Sequence, residues 1–366
     1  MIKPLNIIFI ENFRIYKRFT NVKTVGGIET NTRDVINSLR NNGHNVWIPN
    51  KGKSIPKWVQ NNNVDIIASS SFDPLTAYQL WTMRKKYNAA VIQHAHTTVE
   101  DLEGGFLPNI ITWGKLTKIY LKYLYNISHM LITPSEFSKN SLKRLKLKKR
   151  PPIYVVSNGI KFEKFKEKRE YRENFRKFLN EKYNIPIDGK IILNVGYTWR
   201  KKGPDEFFRC AKDLSNYWFV WVGPIKENIY VKKASELKNC IFTGYYDNIC
   251  EPYYGADVLI YPSYTENQGI PLLEASVCKL PIVVRNIEPF DWLIHCESCY
   301  KANNHDEFIT GIERILQDSN FKNKLIKNAY IITDKLHNFK KIIKQIDKLY
   351  NRVIKLKNLY LEKIQK

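Results

Sequence analysis

Short apolar runs of four or five residues, each followed by a stretch with helical spacing, recur along the whole chain and constrain it to an α/β fold. Residues 6–10 form the first run. Residues 27–39 carry the 3.6-residue spacing of an amphipathic helix that stops before Asn42-Gly43, and residues 46–48 resume as a strand. Residues 64–68, 89–93 and 130–133 continue the series, with a helix over 74–86 between the first two. These runs are mostly apolar rather than alternating, so they predict strands covered on both faces, as in a parallel sheet.

The alternation then breaks and restarts. Residues 144–153 and the charged stretch 161–176 interrupt it, placing a linker near 155–185. Residues 191–195, 218–222, 240–243, 258–261 and 282–284 read as a second set of strands, with helices such as 204–214 and 271–277 between them. A chain of 366 residues exceeds what one core usually serves. The expectation is two doubly wound, Rossmann-like domains facing a central cleft, 1–165 and 166–335, followed by a basic helical segment 336–366 packing back toward the first domain.

Composition narrows the function classes. The chain has no uninterrupted apolar run of 18 residues and begins without a signal-peptide pattern, which predicts a cytoplasmic protein. The six cysteines all lie in the second half and read as buried free thiols; Cys296 and Cys299 form a lone C-x-x-C without the second ligand pair a zinc site needs. The net charge is +24 and unevenly spread. Residues 1–165 hold 25 Lys and Arg against 10 Asp and Glu, and residues 335–366 hold 10 against two, while the remainder is nearly neutral. Such a surface attracts a polyanion, either nucleic acid or the anionic face of a membrane.

Three glycine-bearing turns stand where a strand meets a helix, the place where a doubly wound fold presents helix N-termini to phosphate. The first is Gly26-Gly27, without a dinucleotide-binding G-x-G-x-x-G. The second runs Gly196-Tyr197-Thr198-Trp199-Arg200-Lys201-Lys202-Gly203. Three cations before a helix oppose its dipole, so their placement asks for an anion. The third runs from Pro262 through Glu266 to Gly269-Ile270-Pro271-Leu272-Leu273-Glu274. Here Gly269 supplies turn freedom, Pro271 suits a helix start, and two carboxylates are placed to grip hydroxyls at both ends of a ligand.

In these residues the chain resembles the retaining glycosyltransferases of family 4, whose two-Rossmann fold is called GT-B. The family's paired glutamates match Glu266 and Glu274, its lysine-glycine matches Lys202-Gly203, and its opening double glycine matches Gly26-Gly27. The resemblance implies that Glu274 binds ribose hydroxyls, Glu266 the donor sugar and Lys202 the diphosphate, with Gly27, Gly269 and the backbone of Ile270, Pro271 and Leu272 completing the donor site. Many members carry an arginine where this chain has Tyr197; Arg200 is the candidate replacement. The stretches 218–223 and 285–293 are similar to the subgroup that glycosylates diacylglycerol lipids. Of the two histidines in Gln93-His94-Ala95-His96-Thr97-Thr98, His96 better matches the family's acceptor-side histidine.

The resemblance further implies a nucleotide-sugar donor, with UDP-glucose or UDP-galactose favoured while uracil or guanine and glucose, galactose or mannose stay open, retention at the anomeric carbon, and no metal or other cofactor. No D-x-D is present, and Arg200, Lys202 and a helix start supply fixed positive charge for a leaving diphosphate. Residues 115–131 mix Lys115, Lys118 and Lys122 with Leu116, Ile119 and Tyr123, the pattern of an interfacial helix. A peripheral enzyme at the inner face of the membrane with a lipid acceptor is the favoured expectation, and a soluble transferase for polysaccharide or protein-linked glycan is the alternative. A nucleic-acid-binding protein is the rival from another class, opposed by the absence of any binding motif and by the paired glutamates.

Overall fold

The computed structural model describes residues 4–13, 26–49, 54–103, 111–226 and 228–365. The chain divides into two compact units, residues 1–158 with 340–366, and residues 159–339. Each is built on one six-stranded, all-parallel sheet.

In the first unit β1 (Asn6–Ile10), β2 (Asn45–Trp47), β3 (Ile66–Ser69), β4 (Ala90–His94), β5 (Met130–Thr133) and β6 (Ile153–Val155) lie in the order β2-β1-β3-β4-β5-β6. In the second, β7 (Ile191–Val195), β8 (Trp218–Val222), β9 (Cys240–Gly244), β10 (Val258–Tyr261), β11 (Ile282–Arg285) and β12 (Tyr300–Ala302) lie in the order β12-β11-β10-β7-β8-β9. Successive residues of β1, β3, β7 and β10 are buried on both faces, as the unbroken apolar runs predict. Each sheet reverses its strand order once, beside β1 in the first and between β7 and β10 in the second. Ligands of such sheets bind outside the strands' carboxyl ends at these reversals.

Two short edge strands, β6 and β12, escaped the sequence reading: β6 follows Pro151-Pro152 in a stretch read as a break, and β12 carries Lys301 at its centre. The stretch read as linker is in part the helix Arg169–Tyr183. Its apolar stripe of Tyr171, Phe175 and Leu179 is masked in sequence by the charges on its outer face. Arg176 on the buried side donates to Asp257 Oδ2 at 2.9 Å and to the carbonyl of Gly255 at 3.0 Å. The backbone N–H of Ile191 donates to the same carboxylate oxygen at 2.8 Å, so this buried ion pair ties the helix to the starts of β7 and β10.

The helical C-terminus breaks at Asn338, where the chain leaves the second unit. The last helix, Phe339–Gln365, packs against the first unit as expected, burying Ile342, Ile346, Tyr350 and Val353. Each fully buried apolar side chain of this kind contributes roughly 1.5–3 kcal/mol. Polar contacts fix the register. His44 Nδ1 accepts from the Leu5 N–H at 3.1 Å, which leaves the proton on Nε2 to donate to Asp347 at 2.6 Å. His94 Nε2 meets the Tyr350 hydroxyl at 2.9 Å.

Candidate functional site

The two loops that leave β7 and β10 emerge side by side because their strands are neighbours. After β7 the chain turns through Tyr197 and Trp199, whose rings stack at 5.0 Å, into a single 3-10 turn Arg200–Lys202 and the helix Pro204–Asp213. Gly203 joins turn to helix with φ +74°, and a Cβ there would stand 2.3 Å from the Pro262 carbonyl oxygen. Only glycine lets the two loops approach this closely. The Tyr264 N–H donates across to the Lys201 carbonyl at 2.8 Å.

This lacing brings Lys202 Nζ onto Glu266 Oε1. The Tyr261 hydroxyl, at the end of β10, donates to the same oxygen at 2.7 Å and lies 3.2 Å from Lys202 Nζ. Burial opposes the charge on Glu266, but Lys202, Lys201 and the hydrogen bonds from Lys202 and Tyr261 outweigh it and hold the carboxyl below the usual range. Glu266 is therefore an anion fixed in place by two donors.

Downstream, Gly269 takes φ +76° and caps the helix Ile270–Val277, with Pro271 in its first turn. A Cβ on Gly269 would come within 2.8 Å of the Phe290 ring. Leu272 is fully buried and its N–H donates to the Gly269 carbonyl at 3.0 Å, and Pro271 has no N–H. Of these three residues, then, Ile270 is the one whose amide can serve a ligand, a narrower contribution than the sequence suggests. Glu274 lies one turn inside the helix, where Tyr253 donates to its Oε2 at 2.7 Å. Its carboxyl is pushed up by burial, which the Tyr253 hydrogen bond and the nearby Lys164 only partly offset.

The structure thus gathers Lys202, Glu266, Gly269, Ile270 and Glu274 around the reversal of the second sheet. Arg200 opens the 3-10 turn with its side chain exposed, while Lys201 is buried and acts electrostatically on Glu266. Lys201, Tyr253 and Tyr261 were missed as site residues. Lys201 was visible as one of three adjacent cations, but the tyrosines carry no signal, since their partners lie 21 and five residues away on other elements.

Gly27 and His96 belong to the first unit. Gly27 begins the helix Gly27–Asn41, capped by Gly26 at φ +78°. His96 follows β4, is buried, and stacks against His94 with ring centroids 6.1 Å apart. Burial lowers its pKa to about 4, so the imidazole is neutral at physiological pH. His94, bound to Tyr350, is lowered to about 3 by burial and by His96.

Among the described residues, Glu206, Cys210 and His305 stand close enough to share a metal ion. His305 is already hydrogen-bonded at both nitrogens, to Glu206 at 2.6 Å and Asp213 at 2.8 Å, and Glu206 also pairs with Arg285 at 3.5 Å. The group reads as an ion-pair network joining the helices Pro204–Asp213 and His305–Gln317.

Residues 175–331 match the family described as Glycosyl transferases group 1, and residues 47–164 match Glycosyltransferase Family 4. The processive diacylglycerol alpha-glucosyltransferase of Acholeplasma laidlawii is 32% identical over 286 residues, 75% of this chain and 82% of that protein. The chain belongs to glycosyltransferase family 4. A second family member, the N,N'-diacetylbacillosaminyl-diphospho-undecaprenol alpha-1,3-N-acetylgalactosaminyltransferase of Campylobacter jejuni, is 29% identical over 82% of this chain and 80% of its own. The crystal structure of Anabaena HepE in complex with UDP and glucose superposes with a TM-score of 0.75 at 14% identity, covering 95% of this chain and 100% of that one. The family 4 assignment makes the chain a hexosyltransferase with the GT-B fold.

Proposed function

We propose that this transferase moves a hexose from UDP-glucose or UDP-galactose, with retention, to a hydroxyl of a membrane glycolipid or diacylglycerol. The observation that carries the donor half is the Lys202–Glu266–Tyr261 constellation at the sheet reversal, followed by Glu274 one turn into the next helix. A diphosphate draws the Lys202 ammonium toward itself, and the exposed Arg200 adds charge on the same turn. Glu266 then accepts from sugar hydroxyls, while Glu274, anchored through one oxygen by Tyr253, offers the other to the ribose. Fixed cations and the Ile270 amide stabilise the departing diphosphate, so this reading requires no metal. His96, neutral, serves the acceptor side as a hydrogen-bonding group.

Both relatives named above are called after lipid acceptors, a diacylglycerol and an undecaprenol diphosphate. On the helix Ile111–Asn126 of this chain, Leu116, Ile119 and Tyr123 are each more than half exposed and share one face at i, i+3 and i+7. Lys115, Lys118 and Lys122 stand among them. Leu75, Tyr78 and Trp81 on the helix Pro74–Tyr87 are exposed as well, and the Tyr120 hydroxyl donates to the Phe72 carbonyl just before that helix at 2.6 Å. Among the described residues no helix is long and apolar enough to cross a membrane. An apolar face ringed by lysine supports reversible adsorption to anionic lipid at the inner membrane face, at about 1 kcal/mol per cation near the surface.

The test is a screen of UDP- and GDP-sugars with and without anionic vesicles carrying diacylglycerol. Glycolipid formed from a UDP-hexose only on vesicles is the expected result. Transfer to water-soluble glycans with no vesicle requirement would favour the soluble alternative.

A further inference from the structure

In the first unit a groove of about 640 Å³ runs beside β2, an edge strand of its sheet, and along the helix that Gly27 begins. One wall is a single face of the helix Gly27–Asn41, carrying Glu29, Arg33, Asn37 and Arg40 at spacings of three and four. Trp47 of β2, Trp58 of the short helix Lys57–Gln60 and Glu11, just past β1, also line the groove. From Glu29 to Arg40 the helix advances ~16 Å, longer than a single sugar ring.

Size and chemistry select the occupant. The volume lies in the range of small-molecule sites. Two indoles, each partly buried against the core of the first unit, line the groove with apolar ring surface, which packs against the C–H side of a pyranose ring. Carboxylates accept, guanidinium groups donate and amides do both, which suits hydroxyls that donate and accept in turn. Charge decides between a neutral and an anionic ligand: the two carboxylates and two guanidiniums cancel, in a chain of net charge +24. Arg33 is held by Glu29 at 3.1 Å, and Arg40 by the Val46 carbonyl at 2.9 Å, so neither stands as a lone cation for phosphate.

We infer that this groove binds a neutral oligosaccharide, the glycan portion of the acceptor. The inference rests on the transferase reading and deepens it: the acceptor already bears sugar, and Trp47, Trp58 and Arg33 select it.

Titration calorimetry on the full chain separates the two ideas, using maltotriose, cellotriose and a galactose trisaccharide as glycan probes and UDP as donor probe. At least one trisaccharide should bind the wild type, at least tenfold more weakly to Trp58→Ala and to Arg33→Ala, with UDP affinity unchanged in both variants. Arg33 is mostly exposed, so its variant keeps the test valid if Trp58→Ala does not fold. Binding of none of the three, equal binding by wild type and Arg33→Ala, or preference for a sulfated trisaccharide would overturn the inference. Loss of UDP binding by the wild type would instead overturn the transferase reading.

Discussion

Lys202 and Glu266 hold each other in place, and each explains the other's presence in a largely buried pocket. Replacing Lys202 by Ala leaves Glu266 buried without its main counter-charge; its carboxyl should rise toward and above the ordinary range, and UDP-sugar affinity should fall at least tenfold by calorimetry. Glu274→Ala should lose a comparable factor, since it removes the carboxylate and strands the Tyr253 hydroxyl. His96→Ala should bind donor normally and lose transfer, and the wild-type rate should show no His96 titration between pH 5.5 and 7.5, because that imidazole has a pKa of about 4. A limb near pH 6.5 that vanishes in the His96 variant would contradict the neutral role. The paired glutamates and the Lys-Gly were legible because each motif falls within one short stretch of chain. Tyr253 and Tyr261 were not, because only the adjacency of strands and helices brings their hydroxyls to the carboxylates.

At the scale of elements, the strands were read almost to the residue wherever apolar runs are unbroken, as in β1, β5, β7, β8 and β10. Pattern failed where a short run follows prolines or holds a lysine, or where a buried stripe is thin among charges, as in β6, β12 and Arg169–Tyr183. Two predictions belong here. Gly203→Ala forces a side chain against the Pro262 carbonyl at positive φ, and should destabilise the second unit by about 2–4 kcal/mol in denaturant titration while weakening donor binding through the displaced Lys202 turn. The double variant Leu116→Glu, Ile119→Glu on the exposed face of Ile111–Asn126 should keep its UDP affinity and no longer float with anionic vesicles. Unchanged flotation would remove that helix from the membrane account.

For the whole molecule, the first unit includes the last helix, so a chain ending at residue 338 should expose the surface that Ile342, Ile346, Tyr350 and Val353 cover and lose cooperative unfolding of that unit. Acid should also weaken it. His94 and His129 have pKa values lowered to about 3 and His96 to about 4, in each case first by burial. The unfolded chain therefore binds more protons below pH 6.5. The stability these histidines confer is complete above that pH and falls as pH drops toward 4, by up to ~1.4 kcal/mol per unit for each. A urea midpoint that stays constant from pH 7 to 5 would contradict this. The two sheets were legible as two series of apolar runs; their strand orders were not, because order depends on pairings between strands distant in sequence, and the passages between units at 158 and 339 lie seven and four residues from the boundaries expected at 165 and 335. The most direct test of the central claim is calorimetric titration of UDP-glucose and UDP-galactose into the wild type and Glu274→Ala. Binding of at least one donor to the wild type and its loss in the variant is the predicted result; equal affinity in the two proteins, or no binding of either sugar nucleotide, would contradict it.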